Sequence, residues 1–222
     1  MEGNGRVLTL AHIHLEDGSF TLFWVVVWWM IALVVLAVAI VWIRSVKKTD
    51  NRKLTLAAFC TAAAFAIFQV SIPLFGGVHL NLTPLIGILV GPVFGSLIVL
   101  IINILSAAFG HGGWGLIGAN LLINLIEVLV AYGTWKVLKL VFPGAFIRAV
   151  IATIAGLFCG NLAMIAIILV SGIQGVTQTS SQILTGLILI AGINMGVAVI
   201  EAFITGMIIA TIIRTRPDML EQ

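Results

Sequence analysis

Two of the four histidines of this chain fall in one short stretch, Ala11-His12-Ile13-His14-Leu15-Glu16-Asp17-Gly18, followed at once by two carboxylates and a glycine. Neutral imidazole offers a borderline-soft lone pair near pH 7, which makes histidine the commonest side-chain ligand of Ni, Co, Cu and Zn. Two such rings beside the start of an apolar chain suggest capture of a transition metal. The plainer alternative is a solvated, histidine-bearing tail. The other two stand in Gly76-Gly77-Val78-His79 and in Gly110-His111-Gly112-Gly113-Trp114-Gly115. A second set of reactive groups lies inside apolar runs, where ionisable residues are costly and usually functional. These are Glu127 and Glu201. Asn120, Asn124 and Glu127 are spaced to share one helix face, and Asn103, Asn161 and Asn194 add further amides. Such groups could line a polar seam for a substrate or a proton, or could tie helices together by hydrogen bonds.

Several chemistries are excluded or disfavoured. There is no GxxxxGK[ST] loop, so the chain is not expected to bind or hydrolyse ATP itself, and no HExxH and no Ser/His pair at membrane depth to suggest a hydrolase. Cys60 and Cys159 sit in apolar runs far from any CxxC spacing and read as small hydrophobes. The run before residue 12 is too short for the apolar core of a secretory signal. Asn81-Leu82-Thr83 matches a glycosylation sequon, but Pro84 and the nearby membrane argue against its use.

The elements that must position these groups follow from composition. Of 222 residues, 61% are hydrophobic and 9% charged, so the solvent for most of the chain is lipid. The expectation is an all-α integral membrane protein of about seven transmembrane helices in one bundle, multi-pass in the plasma membrane. The net charge of +3 does not signal nucleic-acid binding, because the basic residues flank apolar segments as topology requires. The expected spans are 20–43, 54–75, 82–90, 94–109, 116–135, 150–170 and 182–213. Trp24, Trp28 and Trp29 form an interfacial belt on the first.

Arg44, Lys47, Lys48, Arg52 and Lys53 mark the first loop as cytoplasmic, which puts the N-terminus outside. The segment 82–90, bounded by Pro84 and Gly91-Pro92, is short for a crossing. If it did not cross, Lys136, Lys139 and Arg148 would be external, against the positive-inside bias. Short, Gly/Pro-interrupted segments are also where transporters build binding sites. With this topology every Lys and Arg except Arg6 is cytoplasmic, the C-terminus is cytoplasmic, and all four histidines fall outside. Residues 1–19 then form an external metal-capturing segment, 20–216 the bundle, and 217–222 a cytoplasmic tail. Ala58, Ala62 and Ala66, at four-residue spacing, give a smooth stripe that lets another helix approach closely, within the bundle or from a partner.

Four strings in order carry a family likeness: His14-Leu15-Glu16-Asp17-Gly18, Val78-His79-Leu80, Phe109-Gly110-His111-Gly112-Gly113 and Leu116-Ile117-Gly118-Ala119-Asn120. Together they resemble the CbiM/NikM family, the substrate-binding membrane subunits of energy-coupling-factor transporters for cobalt and nickel. The resemblance implies Co2+ or Ni2+ as transported substrate. It implies as partners a transmembrane coupling subunit and ATPase subunits, with a small accessory membrane subunit beside them. It also implies an N-terminal segment that tucks into the bundle and helps hold the metal. His14 matches the family's N-terminal metal histidine and His79 the second histidine. His111 sits in the FGxGG-type loop, where a gating or supporting role is implied, as for Asn120 and Glu127. The alanine stripe resembles the surface that meets the coupling subunit.

One departure matters. The family's metal histidine is typically residue two, so that the terminal amine, an amide and the ring supply in-plane nitrogens; here thirteen residues precede His14. Trimming would expose an amine at His12 or Ile13; cleavage after Ala11 would leave the His12 amine, the Ile13 and His14 amides and the His14 ring as a planar set. Without cleavage, His12, His14 and His79 could supply three imidazoles. A planar set of this kind suits Ni(II) or Cu(II), and Co(II) in its low-spin form, and both cobalt and nickel accept imidazole and amide nitrogen. Glu16 and Asp17 are expected to attract cations and order the loop rather than ligate. The competing function is a stand-alone proton-coupled carrier that uses Glu127 and Glu201 as relays.

Overall fold

The computed structural model describes residues 17–45, 51–68, 71–72, 78–110, 112–176 and 178–216. Its elements are α1 (Leu22–Ser45), α2 (Asn51–Phe68), the two-residue strands β1 (Ser71–Ile72) and β2 (Val78–His79), α3 (Thr83–Ala108), a 3₁₀ turn at Trp114–Leu116, α4 (Ile117–Leu138), α5 (Ala145–Ser171) and α6 (Ser180–Thr215). The fold is that of an all-helical, multi-pass membrane protein. Among the described residues five helices are long and apolar enough to cross a bilayer: α1, α3, α4 with its preceding 3₁₀ turn, α5 and α6. At about 1.5 Å per residue, the 24 residues of α1 already exceed a ~30 Å hydrocarbon core.

Six helical elements are present among the described residues, and the segments expected at 82–90 and 94–109 are the two arms of one of them, α3, separated by a sharp kink. Gly91 breaks that element, with φ 77° and ψ 176°, in the left-handed region that favours glycine, and Pro92 opens the second arm. The arms fold against one another. Built onto Gly95, a methyl group would lie 3.6 Å from Ile86 Cγ2, whereas residues nine apart in a straight helix are separated by about 13 Å. Residues 82–90 are all buried. A helical arm that is apolar all round belongs inside a bundle.

One expectation is corrected, the helix at 54–75. The helix ends at Phe68, and Ser71 and Ile72 pair antiparallel with His79 and Val78. Pro73 disfavours the helical region for Ile72, so the chain enters an extended path there. His79 is thereby carried by the second strand of a small hairpin.

Helices α4, α5 and α6 pack in sequence order, with Gly156 and Gly160 of α5 against Glu127 and Ala131 of α4. In α1, Ala32 and Leu36 join a core with Val99, Leu121 and Val128. Close backbone approach explains two glycines. A methyl on Gly118 would lie 2.6 Å from Trp29 N, and one on Gly87 would lie 2.5 Å from Val128 O. The tryptophans expected as an interfacial belt also bind the protein itself. Trp28 Nε1 donates to Ser171 Oγ at 2.8 Å and Trp29 Nε1 to Trp114 O at 3.3 Å. At the start of α6, Thr179 and Gln182 form a reciprocal capping box.

Candidate functional site

The polar groups read from the sequence converge on one cavity of about 200 Å3 between α3, α4, α5 and α6. Asn103, Asn120, Asn124, Glu127, Asn161, Asn194 and Glu201 all line it, with Asn81 and Phe20. Asn120, Asn124 and Glu127 thus do share the face that their spacing implies. Asn194 Nδ2 donates to Asn161 Oδ1 at 3.0 Å, so this pair bonds α6 to α5 as interhelical amides do.

Both carboxylates are buried, Glu127 at 6% and Glu201 at 2% exposure. A buried carboxylate needs donors on its oxygens. Here they come from one short segment, the junction between β2 and α3. The Asn81 N–H donates to Glu201 Oε2 at 3.1 Å and the Leu82 N–H to Glu201 Oε1 at 2.9 Å. Asn81 Nδ2 donates to Glu127 Oε2 at 2.8 Å and reaches Asn124 Oδ1 at 3.3 Å. The Thr83 hydroxyl also bonds Glu127 Oε2. Gly160 leaves the space that the Glu127 side chain fills. These contacts engage the sequon, since the Asn81 amide is committed inward and Leu82 and Thr83 are buried.

The second approach to the cavity comes from the N-terminal side. Asp17 accepts the Gly115 N–H at 2.8 Å and the Trp114 N–H at 3.0 Å, at the free amides opening the 3₁₀ turn and α4. Gly113 packs directly on that carboxylate. Ser19 O accepts the Gln174 N–H at 2.8 Å. Phe20, at 3% exposure, packs in a cluster with Leu116, Ala119, Ile167, Ile168 and Leu187 and lines the cavity. Asp17 therefore orders the loop, as the sequence suggests, by accepting backbone amides. Asp17→Ala is expected to cost about 1 kcal/mol, the scale of a lost helix cap. Amide exchange at Trp114 and Gly115 should accelerate; unchanged protection would remove Asp17 as the anchor.

The predicted site residues divide by placement. His12, Ile13, His14 and His111 lie outside the described residues. The backbone of His79 is fixed in β2, opposite Ser71. A methyl on Gly112, beside His111 in the chain, would lie 3.8 Å from Asn120 Nδ2, one of the cavity's amides. Ala58, Ala62 and Ala66 are exposed on α2, while Ala57 and Ala64 face the core. Among the described residues no three His, Cys, Asp or Glu side chains cluster. Sequence reasoning missed Asn81, Thr83 and Phe20 as parts of the site. The signal was present for the first two, since Asn81-Leu82-Thr83-Pro84 places polar side chains at a helix start two residues after a candidate ligand.

Comparisons with known proteins agree with this architecture. A family model described as the cobalt uptake substrate-specific transmembrane region, CbiM, matches residues 14–219. A provisionally named cobalt transport protein, CbiM 1, of Methanocorpusculum labreanum is 27% identical over 219 residues, covering 95% of this chain and 93% of that one. A provisionally named fused nickel transport protein, NikMN, of Archaeoglobus fulgidus is 27% identical over 216 residues, 95% of this chain and 68% of that one. The fold matches the crystal structure of a transition metal transporter with TM-score 0.76 at 20% identity, over 91% of this chain and 93% of that one.

Proposed function

This chain belongs to the CbiM family of cobalt uptake substrate-specific transmembrane regions, and from that premise we propose that it is the substrate-capture subunit of an ATP-driven importer for Co2+ or Ni2+. The observation that carries the reading is convergence. The chain leaving the His12–His14 stretch, at 17–20, and the hairpin carrying His79 both end on the same cavity, through Phe20 and Asn81. In this reading His14 and His79 hold the metal, with the terminal amine of His12 and the Ile13 and His14 amides, or with the His12 ring, completing the set.

The membrane orientation follows from charge. Arg44, Lys136, Lys139, Arg214 and Arg216 stand at the helix ends remote from the Asp17 turn, which suits a cytoplasmic face there and an external face at the turn. Counting α2 and the two arms of α3 separately, the bundle has seven helical segments. Metal enters from outside, and a complex with a coupling subunit and its ATPases drives release inward. The exposed Ala58, Ala62 and Ala66 stripe is the surface offered to the coupling subunit. The carrier alternative needs Glu127 and Glu201 free to exchange protons with a moving solute. Both oxygens of Glu201 and Oε2 of Glu127 are instead committed to Asn81, Leu82 and Thr83, which favours capture by histidine.

The test is intact mass with metal content on natively expressed protein, wild type beside His14→Ala and His79→Ala. One equivalent of Co or Ni in wild type and none in either variant is the expected result. The mass then reports whether an amine is free near His12. Wild type that stays metal-free, or variants that load equally, would reduce the histidines to bystanders.

A further inference from the structure

The buried carboxylates have their donors in one place, and that place is the turn that follows His79. Glu201, on α6, accepts two consecutive backbone amides, Asn81 at 3.1 Å and Leu82 at 2.9 Å, one on each oxygen. Glu127, on α4, accepts the Asn81 side chain at 2.8 Å and the Thr83 hydroxyl. Leu82 is the one non-glycine described residue with positive φ, at 53°. That conformation is disfavoured for a leucine and persists only where its surroundings over-determine it. The two-amide grip of Glu201 is what fixes it here. Two helices far apart in sequence thus clamp a backbone corner that hydrogen bonds within α3 alone would not hold.

We propose that Glu201, with Glu127, is a positioning residue of the metal-capture site, setting where the β2 strand delivers His79. This rests on the reading of His79 as a metal ligand, but assigns the carboxylates a task that neither a relay nor a pore lining requires. Metal ligands depend on outer partners for their placement, and loss of such a partner typically costs about ten- to a hundredfold in affinity. The clamp differs from ordinary support in acting on the main chain. It fixes the exit of the strand rather than one ring nitrogen of the histidine. It also joins the capture strand to α4 and α6, so a shift of either helix is transmitted to the ligand.

The experiment is titration of purified wild type, Glu201→Ala, Glu201→Gln and His79→Ala with CoCl2, with the visible spectrum of each complex and the thermal midpoint of each metal-free protein. Glu201→Ala should bind about ten- to a hundredfold more weakly. Its Co(II) absorption bands should shift from those of wild type, because the ligand is displaced rather than removed. Glu201→Gln retains one oxygen for one amide and should fall between the two, with its metal-free midpoint close to wild type. If Glu201→Ala does not fold, the Gln variant alone decides by its affinity and bands. Binding lost in His79→Ala but within about threefold of wild type in the Glu201 variants, with unshifted bands, overturns the clamp and leaves the capture reading standing. Binding retained in His79→Ala overturns the capture reading and the clamp with it.

Discussion

Between about pH 7.5 and pH 5, the affinity of the wild-type protein for Co2+ or Ni2+ is expected to fall by about a thousandfold. Only neutral imidazole can ligate, and an imidazole of ordinary pKa, about 6.5, is roughly 3% neutral at pH 5. Two such ligands, His14 and His79, multiply that factor. The sign follows from proton counting. The complex holds fewer protons than the free protein, so acid drives the metal off. The slope of log affinity against pH also separates the ligand sets. A site of two or three imidazoles should level off above about pH 7, whereas each amide deprotonated on binding keeps adding about tenfold per pH unit beyond it. Equilibrium dialysis with CoCl2 from pH 5 to pH 8 reads this directly. Affinity that is flat down to pH 5 would exclude the histidine site.

The largest expected loss of stability comes from a single methyl group at Gly118. On that Cα the methyl would lie 2.6 Å from Trp29 N and 2.7 Å from Trp28 C. Its neighbours are main-chain atoms, which cannot turn aside as a flexible side chain can. Helix α1 must move off α4, and with it go the bonds of Trp28 to Ser171 and of Trp29 to Trp114. Overpacking of about 1–3 kcal/mol and two hydrogen bonds of about 1 kcal/mol each put the cost at about 3–5 kcal/mol. Gly133→Ala on the same helix is the control, because its methyl would meet nothing within 4 Å. It should be neutral or slightly stabilising, since alanine favours the helix by about 1 kcal/mol. The comparison is made by thermal midpoint in detergent. Equal midpoints for the two variants would mean that the α1–α4 seam is not so close.

Much of the fold is legible along the chain, for reasons particular to each segment. The runs that became α1, α4, α5 and α6 are long, continuous and apolar, and lipid leaves such a run little choice but a helix. Gly91-Pro92 announces a break by its own backbone chemistry, and φ at Gly91 is 77°. Less legible was the end of α2. The apolar run continues past Phe68, and hydropathy alone cannot distinguish a last helical turn from the strand that pairs Ser71 with His79. The two arms of α3 could be bounded in sequence, but their packing side by side shows only through contacts such as Gly95 with Ile86.

For the site, residue types and spacing determined the candidate ligands, the shared face of Asn120, Asn124 and Glu127, and the family. Those properties are local: ligand chemistry belongs to a side chain, and a helix face repeats every few residues. Tertiary structure decided what the buried carboxylates hold. Glu201 lies 119 residues beyond Leu82, and Glu127 44 beyond Thr83. No periodicity links such positions. Their pairing exists because a carboxylate taken out of water must find donors, and packing brings the turn after His79 to both of them.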